Sequence, residues 1–247
     1  MIVQSQRDMA GLLQIGRVVG STLQTMIAHC RPGITTKELD AIGTELLRKE
    51  GARSAPIVTY KFPGTTCISI NEEAAHGIPG DRVVQEGDLV NIDVSAELGG
   101  YFADTGATVP MLPVSGLRQK VADTAQQALH KGLAVARAGN KVNEVGRAME
   151  NYVRAAGLQV IKDLPGHGVG KKLHEAPSVP CFYNPKLKDV LKEGMVLTIE
   201  PFVTARAQHI YTAKDGWTLL TKDHGPAAQY EHTVIITRAE PILITKV

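Results

Sequence analysis

Two stretches of this chain repeat one another at a nearly constant distance, and that repetition restricts the possible folds more than any other feature. Gly33, Glu38, Leu39 and Gly51 precede Gly139, Glu144, Val145 and Gly157 by 106 residues each. Further along, EGDLVNIDV at 86–94 lies over EGMVLTIEP at 193–201 at an offset of 107, which sets Asp93 opposite Glu200. Order, spacing and an acidic residue at one strand position are all kept. Such a duplication packs two like units about a pseudo-twofold axis, and a site shared by both lies in the cleft between them.

Each unit reads as helix, helix, strand. Apolar residues at helical spacing from Asp8 to Cys30 predict a first helix, stopped by Arg31-Pro32-Gly33. A second begins with Thr35 or Thr36 as N-cap and runs to Gly51, where glycine accepts the left-handed conformation. Leu117–Ala136 and a segment through Val142, Val145, Met149 and Val153 to Gly157 repeat the pair. Extended segments are expected at about 56 to 59, 66 to 70, 88 to 95 and 101 to 109. No linker or composition shift separates the halves, roughly 1–110 and 111–247, so residues 1–247 are expected to form a single α+β domain.

Composition narrows the function. The 247 residues are 43% hydrophobic, enough for an ordinary core, and 27 Lys+Arg against 25 Asp+Glu lie interspersed without a cationic run. Nucleic acid is therefore a poor partner. No apolar stretch approaches the ~18 to 20 residues that span a bilayer, and the start lacks the apolar core of a secretory signal, so no membrane is expected and the location reads as cytoplasmic. Cys30, Cys67 and Cys181 are scattered and cannot supply a thiolate cage. A metal here must use oxygen and imidazole ligands.

The chemistry centres on Asp93 and Asp104 in NIDVSAELGGYFADTG, which reads as an antiparallel hairpin. A Leu98-Gly99 loop sets the two aspartates directly opposite; a Gly99-Gly100 loop moves Asp104 one diagonal place away. Either register leaves both carboxylates on one face, ~4.5 to 8 Å apart, where like charges repel. The surrounding apolar residues argue for burial, which is costly for an unpaired carboxylate, and a cation resolves both problems. The repeat brings Glu200 toward Asp93, Glu231 lies in another apolar strand, and His167 sits between glycines that allow close approach. Four carboxylates and an imidazole are the ligand set of a two-metal hydrolytic centre.

With NEEAAHGIPG, NIDVSAELGGYFADTG, GHGVG, LHEAP, LTIEP and QYEHTV in this order, nearly the whole chain resembles the type I methionine aminopeptidases. The resemblance implies the pita-bread fold, two pseudo-symmetric halves around a central antiparallel sheet covered by helices. It implies two divalent ions (Co, Mn, Fe or Zn), with Asp104 and Glu231 bridging, His167 and Glu200 completing one ion, and Asp93 chelating the other. It implies removal of N-terminal methionine when the second residue is small, by a hydroxide held at the metals, with Glu200 as general base and acid. His76 and His174 then hold the scissile peptide and its developing oxyanion. Phe62, Cys67, Leu173 and Trp217 form the side-chain slot.

The implied partners are methionyl peptides, nascent chains and the ribosome, and the implied state is a monomer. Leu173 departs from the phenylalanine common in the family before the His-Glu pair, and Lys171-Lys172 from an arginine-containing pair. A proline-specific aminopeptidase of the same fold is the nearest rival, although EPFV stands where such enzymes carry Gly-Tyr after the EP. A non-catalytic binding protein of this fold is the other, and loss of ligands is its expected mark.

Overall fold

The computed structural model describes residues 1–247, and the repeat is visible in its local geometry. Helix α1, Gln6–His29, starts at Ser5, whose side chain accepts from the Asp8 amide, and buries Leu12, Ile15, Val19, Leu23 and Met26 along one face. Helix α2, Thr36–Lys49, is capped by Thr35 in a reciprocal box with Glu38. Of the two threonines, Thr35 is thus the cap. The α2 chain leaves through Gly51 at φ 69°, as Gly157 does at φ 73° after the fifth helix.

The connections before the second helix of each half also correspond. Gly33 donates its N–H to Val84 and Thr36 donates to Arg82; in the second half Gly139 donates to Leu191 and Val142 to Asp189, all four bonds at 2.9 Å. Only the cap is not kept, because Lys141 takes the place of Thr35 and offers no side-chain acceptor.

Residues expected to be extended at 56 to 59 instead form a short helix, α3, Ala55–Tyr60. Ile57, Val58 and Thr59 favour strand locally. However, Pro56 has no N–H for a ladder and suits a first helical turn, and Ser54 Oγ accepts from the Ile57 amide. Helices α4, Gly116–Val135, and α5, Val142–Ala155, complete the helical set.

Nine strands form one central sheet, and every pairing in it is antiparallel. Its middle runs Leu89–Leu98, Tyr101–Pro110, Glu231–Ile235, Val196–Ile199. The helices cover it in two pairs with separate apolar cores: Leu12, Met26, Leu39 and Ile92 under α1 and α2, and Val121, Leu129, Met149 and Ile199 under α4 and α5. Ile92 and Ile199 are equivalent in the repeat. Side chains alternate along a strand, so pointing these two toward the helices turns Asp93 and Glu200 toward the opposite face.

The hairpin takes the Gly99-Gly100 loop, with Leu98 paired to Tyr101 and both glycines at positive φ, 59° and 84°. Two consecutive positive φ values match the strand twist of a tight hairpin and favour glycine. Asp104 is therefore opposite Ser95, and Asp93 is opposite Gly106, one diagonal step away. The directly opposed register is excluded.

Candidate metal centre and substrate cavity

The sheet register gathers the acidic residues. Gly106 pairs with Asp93 on one side and with Glu231 on the other, so both carboxylates flank a residue with no side chain. Cys67 is the partner of Asp93 on its other edge. His232 pairs with Ile199, and one further step along that ladder sets Glu231 opposite Glu200. His167 enters from the strand Gly166–Gly168, its amide donating to Thr198 Oγ1 at 2.9 Å.

These residues converge. Asp104, His167 and Glu231 each offer a ligand atom within 4.8 Å of the others. His167 Nε2 lies 3.5 Å from Glu200 Oε1 and 3.9 Å from Asp104 Oδ2. Thr198 donates to Glu200 Oε1 at 2.7 Å, and Gln229 Nε2 donates to Glu231 Oε2 at 2.9 Å. His232 points away, as alternation requires, and bonds Thr245 Oγ1 through Nδ1 at 2.8 Å.

A cavity of about 500 Å³ opens over the cluster. Its wall includes Asp93, Asp104, His167 and Glu200, the histidines His76 and His174, and the expected slot residues Phe62, Cys67, Leu173 and Trp217. Glu231 alone of the predicted residues is not in that wall; it is buried at 2% exposure. Phe62 and Trp217 meet edge to face, centroids 5.3 Å apart, giving the slot an aromatic end.

Electrostatically, the acids are uncompensated by the protein. Burial pushes Asp93 up to about 6 and Glu200 up to about 8, Asp93 adding to the shift of Glu200. Asp104 and Glu231 are pushed well above the carboxylate range, first by burial and then by the neighbouring acids. Burial, with His174 nearby, lowers His167 to about 3, so its contacts with the acids are not ion pairs. His76 and His174 are also lowered, chiefly by burial. Burial and Asp93 together push the Cys67 thiol well up, which makes it a slot residue in its neutral form.

Asp104 Oδ1 and Glu231 Oε1 are buried without any hydrogen-bond partner. Orphaned carboxylate oxygens facing a neutral imidazole, with no lysine or arginine among their partners, are the donor set a divalent cation needs. The residues present fit a divalent metal ion.

Backbone geometry fixes the accessory histidines. His76 is held at φ 55°, a left-handed conformation rare for a non-glycine residue and typical of functional loops. The next residue, Gly77, is pinned to the strand Cys67–Ile70: its amide donates to Ser69 Oγ at 3.0 Å and its carbonyl accepts from Ile68. His174 sits on a loop closed by Glu175, whose Oε1 accepts from the amides of Lys171 and Lys172 at 2.7 Å and whose Oε2 takes the Met1 ammonium at 2.7 Å. Lys171 packs its ammonium 3.5 Å from the Tyr101 ring centroid and 3.4 Å from Asp8 Oδ1. The departure from an arginine-containing pair is thus accommodated outside the slot.

Sequence reasoning missed three contributors. Thr198 and Gln229 orient Glu200 and Glu231, and each stands two residues before its glutamate on the same strand or its extension, a period-two signal that was legible in LTIE and QYE. Tyr60 lines the cavity mouth, at the end of the helix that replaces the segment 56 to 59 expected to be extended.

A model of the metallopeptidase family M24 matches residues 10–238 of the chain. The chain is 45% identical to methionine aminopeptidase 2 of Bacillus subtilis, covering all of both chains. It is 47% identical to a methionine aminopeptidase of Staphylococcus epidermidis, over 100% of this chain and 99% of that one. The crystal structure of a methionine aminopeptidase from Thermotoga maritima superposes with a TM-score of 0.96 at 30% identity, over 100% of each chain. That likeness covers both halves and the central sheet, so the architecture is the pita-bread fold. This chain belongs to metallopeptidase family M24.

Proposed function

We propose that this chain is a metal-dependent aminopeptidase that removes methionine from the N-terminus of polypeptides whose second residue is small. The observation that carries the reading is the buried acid and imidazole cluster at the floor of a cavity that also holds the apolar and aromatic side chains of Phe62, Cys67, Leu173 and Trp217. The relatives' activity supports the same reaction.

In this reading two divalent ions, from among Mn, Fe, Co and Zn, would be held by Asp93, Asp104, His167, Glu200 and Glu231. Which ion is present depends on availability as much as on affinity. When bound, metal supplies an activated water near neutral pH and polarises the scissile carbonyl.

The protein's own groups do the rest. Glu200, oriented by Thr198, accepts a proton from the attacking water and returns it to the departing amine. His76 and His174 donate to the scissile peptide and to the charge that develops on its oxygen, each typically worth ~2 to 4 kcal/mol in comparable sites. Phe62, Cys67, Leu173 and Trp217 take up the unbranched thioether side chain, excluding water from it. Residues 1–247 act as one catalytic domain, monomeric, on nascent chains near the ribosome in the cytoplasm.

The test is discrimination at the second residue. Met-Ala-Ser and Met-Leu-Ser are compared at equal concentration with manganese-loaded protein. Release of methionine from the alanine peptide far faster than from the leucine peptide supports the reading. Equal release from both contradicts the small-residue rule.

A further inference from the structure

We propose that Tyr60 is a positioning residue for His174, fixing which of its ring nitrogens carries the proton. The proposal rests on the aminopeptidase reading above for its consequence in turnover, and on geometry for the contact itself. The Tyr60 hydroxyl lies 2.6 Å from His174 Nδ1, with the rings tilted at a centroid distance of 5.5 Å. His174 Nε2 makes no hydrogen bond within the protein, and the residue lines the cavity.

An imidazole with one proton has one donor nitrogen and one acceptor, and its partner decides which is which. A phenol can donate or accept; the Tyr60 O–H keeps its proton, which partial burial favours, and it finds no other acceptor within the protein. The Tyr60 O–H therefore donates to Nδ1. The proton of His174 is then on Nε2, where it is free to donate to substrate.

The surrounding structure leaves this one degree of freedom to Tyr60. Glu175 fixes the backbone of the His174 loop through the amides of Lys171 and Lys172. His167 packs against one face of the His174 ring, centroids 4.1 Å apart, which restrains its position but not its proton. Tyr60 reaches His174 because Lys61 adopts φ 63° at the end of α3, a left-handed turn that sends Tyr60 and Phe62 to the same cavity. Phe62 is 4% exposed and belongs to the slot, whereas Tyr60 is 46% exposed at the rim. The phenol has no other hydrogen-bond partner. Its hydroxyl has one evident use.

The experiment compares wild type with Tyr60→Phe, which keeps the ring and removes the hydroxyl. Turnover of Met-Ala-Ser should fall ~10 to 100-fold in kcat, the range for outer-shell orienting partners, with KM changed less than about twofold. In His174→Ala, adding Tyr60→Phe should cost nothing further, because the two act as one unit. Independently of turnover, two-bond 1H–15N imidazole spectra of the zinc-loaded protein should show the His174 proton on Nε2 in wild type. In Tyr60→Phe the proton should divide between the two nitrogens or move to Nδ1. An unchanged tautomer in Tyr60→Phe, or a full additional loss in the double variant, overturns the proposal. If wild type releases no methionine with any metal, the aminopeptidase reading fails, and the spectra still decide whether Tyr60 holds the tautomer.

Discussion

Gln229 Nε2 donates to Glu231 Oε2 at 2.9 Å, and it occupies space that exists because residue 106, between Glu231 and Asp93 in the sheet, is glycine. A methyl group on residue 106 runs into the Gln229 amide. The same Gln229 accepts from Asn91 Nδ2 at 2.9 Å, so one amide side chain links two strands to a buried carboxylate. Orientation of Glu231 therefore depends on an absent side chain on the neighbouring strand.

Gly106→Ala should weaken metal binding about 10 to 100-fold by displacing Gln229, and destabilise the fold by ~1 to 3 kcal/mol through overpacking. Calorimetric titration with manganese and a thermal melt read the two effects separately. Unchanged affinity in the folded variant means that Gln229 does not orient a ligand.

Asp104→Asn and Glu231→Gln should each abolish turnover. They should also raise the thermal stability of the metal-free protein, because each removes a carboxyl that burial and its acidic neighbours disfavour. Every 1 kcal/mol gained is expected to raise Tm by ~2 to 4 °C for a chain of this size. Loss of metal-induced stabilisation should accompany the gain. A variant that retains full turnover without bound metal contradicts the two-ion assignment.

Stability of the metal-free protein should fall as pH rises from 7 to 8. Across that window Glu200, raised to about 8, retains proton occupancy in the folded state, and Asp104 and Glu231 are raised well above the carboxylate range, whereas all three are ionised when unfolded. The folded state binds more protons, so the slope is negative, about 1.4 kcal/mol per pH unit for each proton retained. The lowered histidines act in the opposite direction but below about 6.5, outside this window. Denaturant melts at pH 7 and 8, with and without zinc, measure it; the bound form should lose most of the slope, and an equal slope in both forms contradicts the assignment.

Trp217→Ala should raise KM for methionyl peptides while leaving metal affinity within about twofold, because the indole closes the slot against Phe62 and supplies no ligand atom to the cluster. Burial of a thioether side chain is worth ~1.5 to 3 kcal/mol, so the loss in kcat/KM should be about 10 to 100-fold. Steady-state kinetics with Met-Ala-Ser decide, and an unaltered KM places the slot elsewhere.

Much of this was legible in the sequence because the duplication constrains it. Matching Asp93 with Glu200 at an offset of 107 was enough to put both on the cleft side of the sheet, with Ile92 and Ile199 on the helix side. The hairpin register was not legible, since Leu98-Gly99-Gly100 contains two possible two-residue loops; consecutive positive φ values chose between them. Residues 56 to 59 misled for a different reason. Their β-branched side chains signal strand, but Pro56 and the Ser54 cap favour a helical turn, and only that turn brings Tyr60 to His174. The role of Glu175 in LHEAP was not legible, because its partners, the Met1 ammonium and two neighbouring amides, meet only in three dimensions.

The central claim is metal-dependent release of N-terminal methionine, and peptide hydrolysis after chelation tests it most directly. Stripped protein is assayed on Met-Ala-Ser and Ala-Pro-Ser, then again after manganese or cobalt is restored. The account predicts no cleavage without metal, and methionine released from the first peptide alone when metal returns. Alanine released from the proline peptide in place of methionine, or cleavage unaffected by chelation, contradicts it.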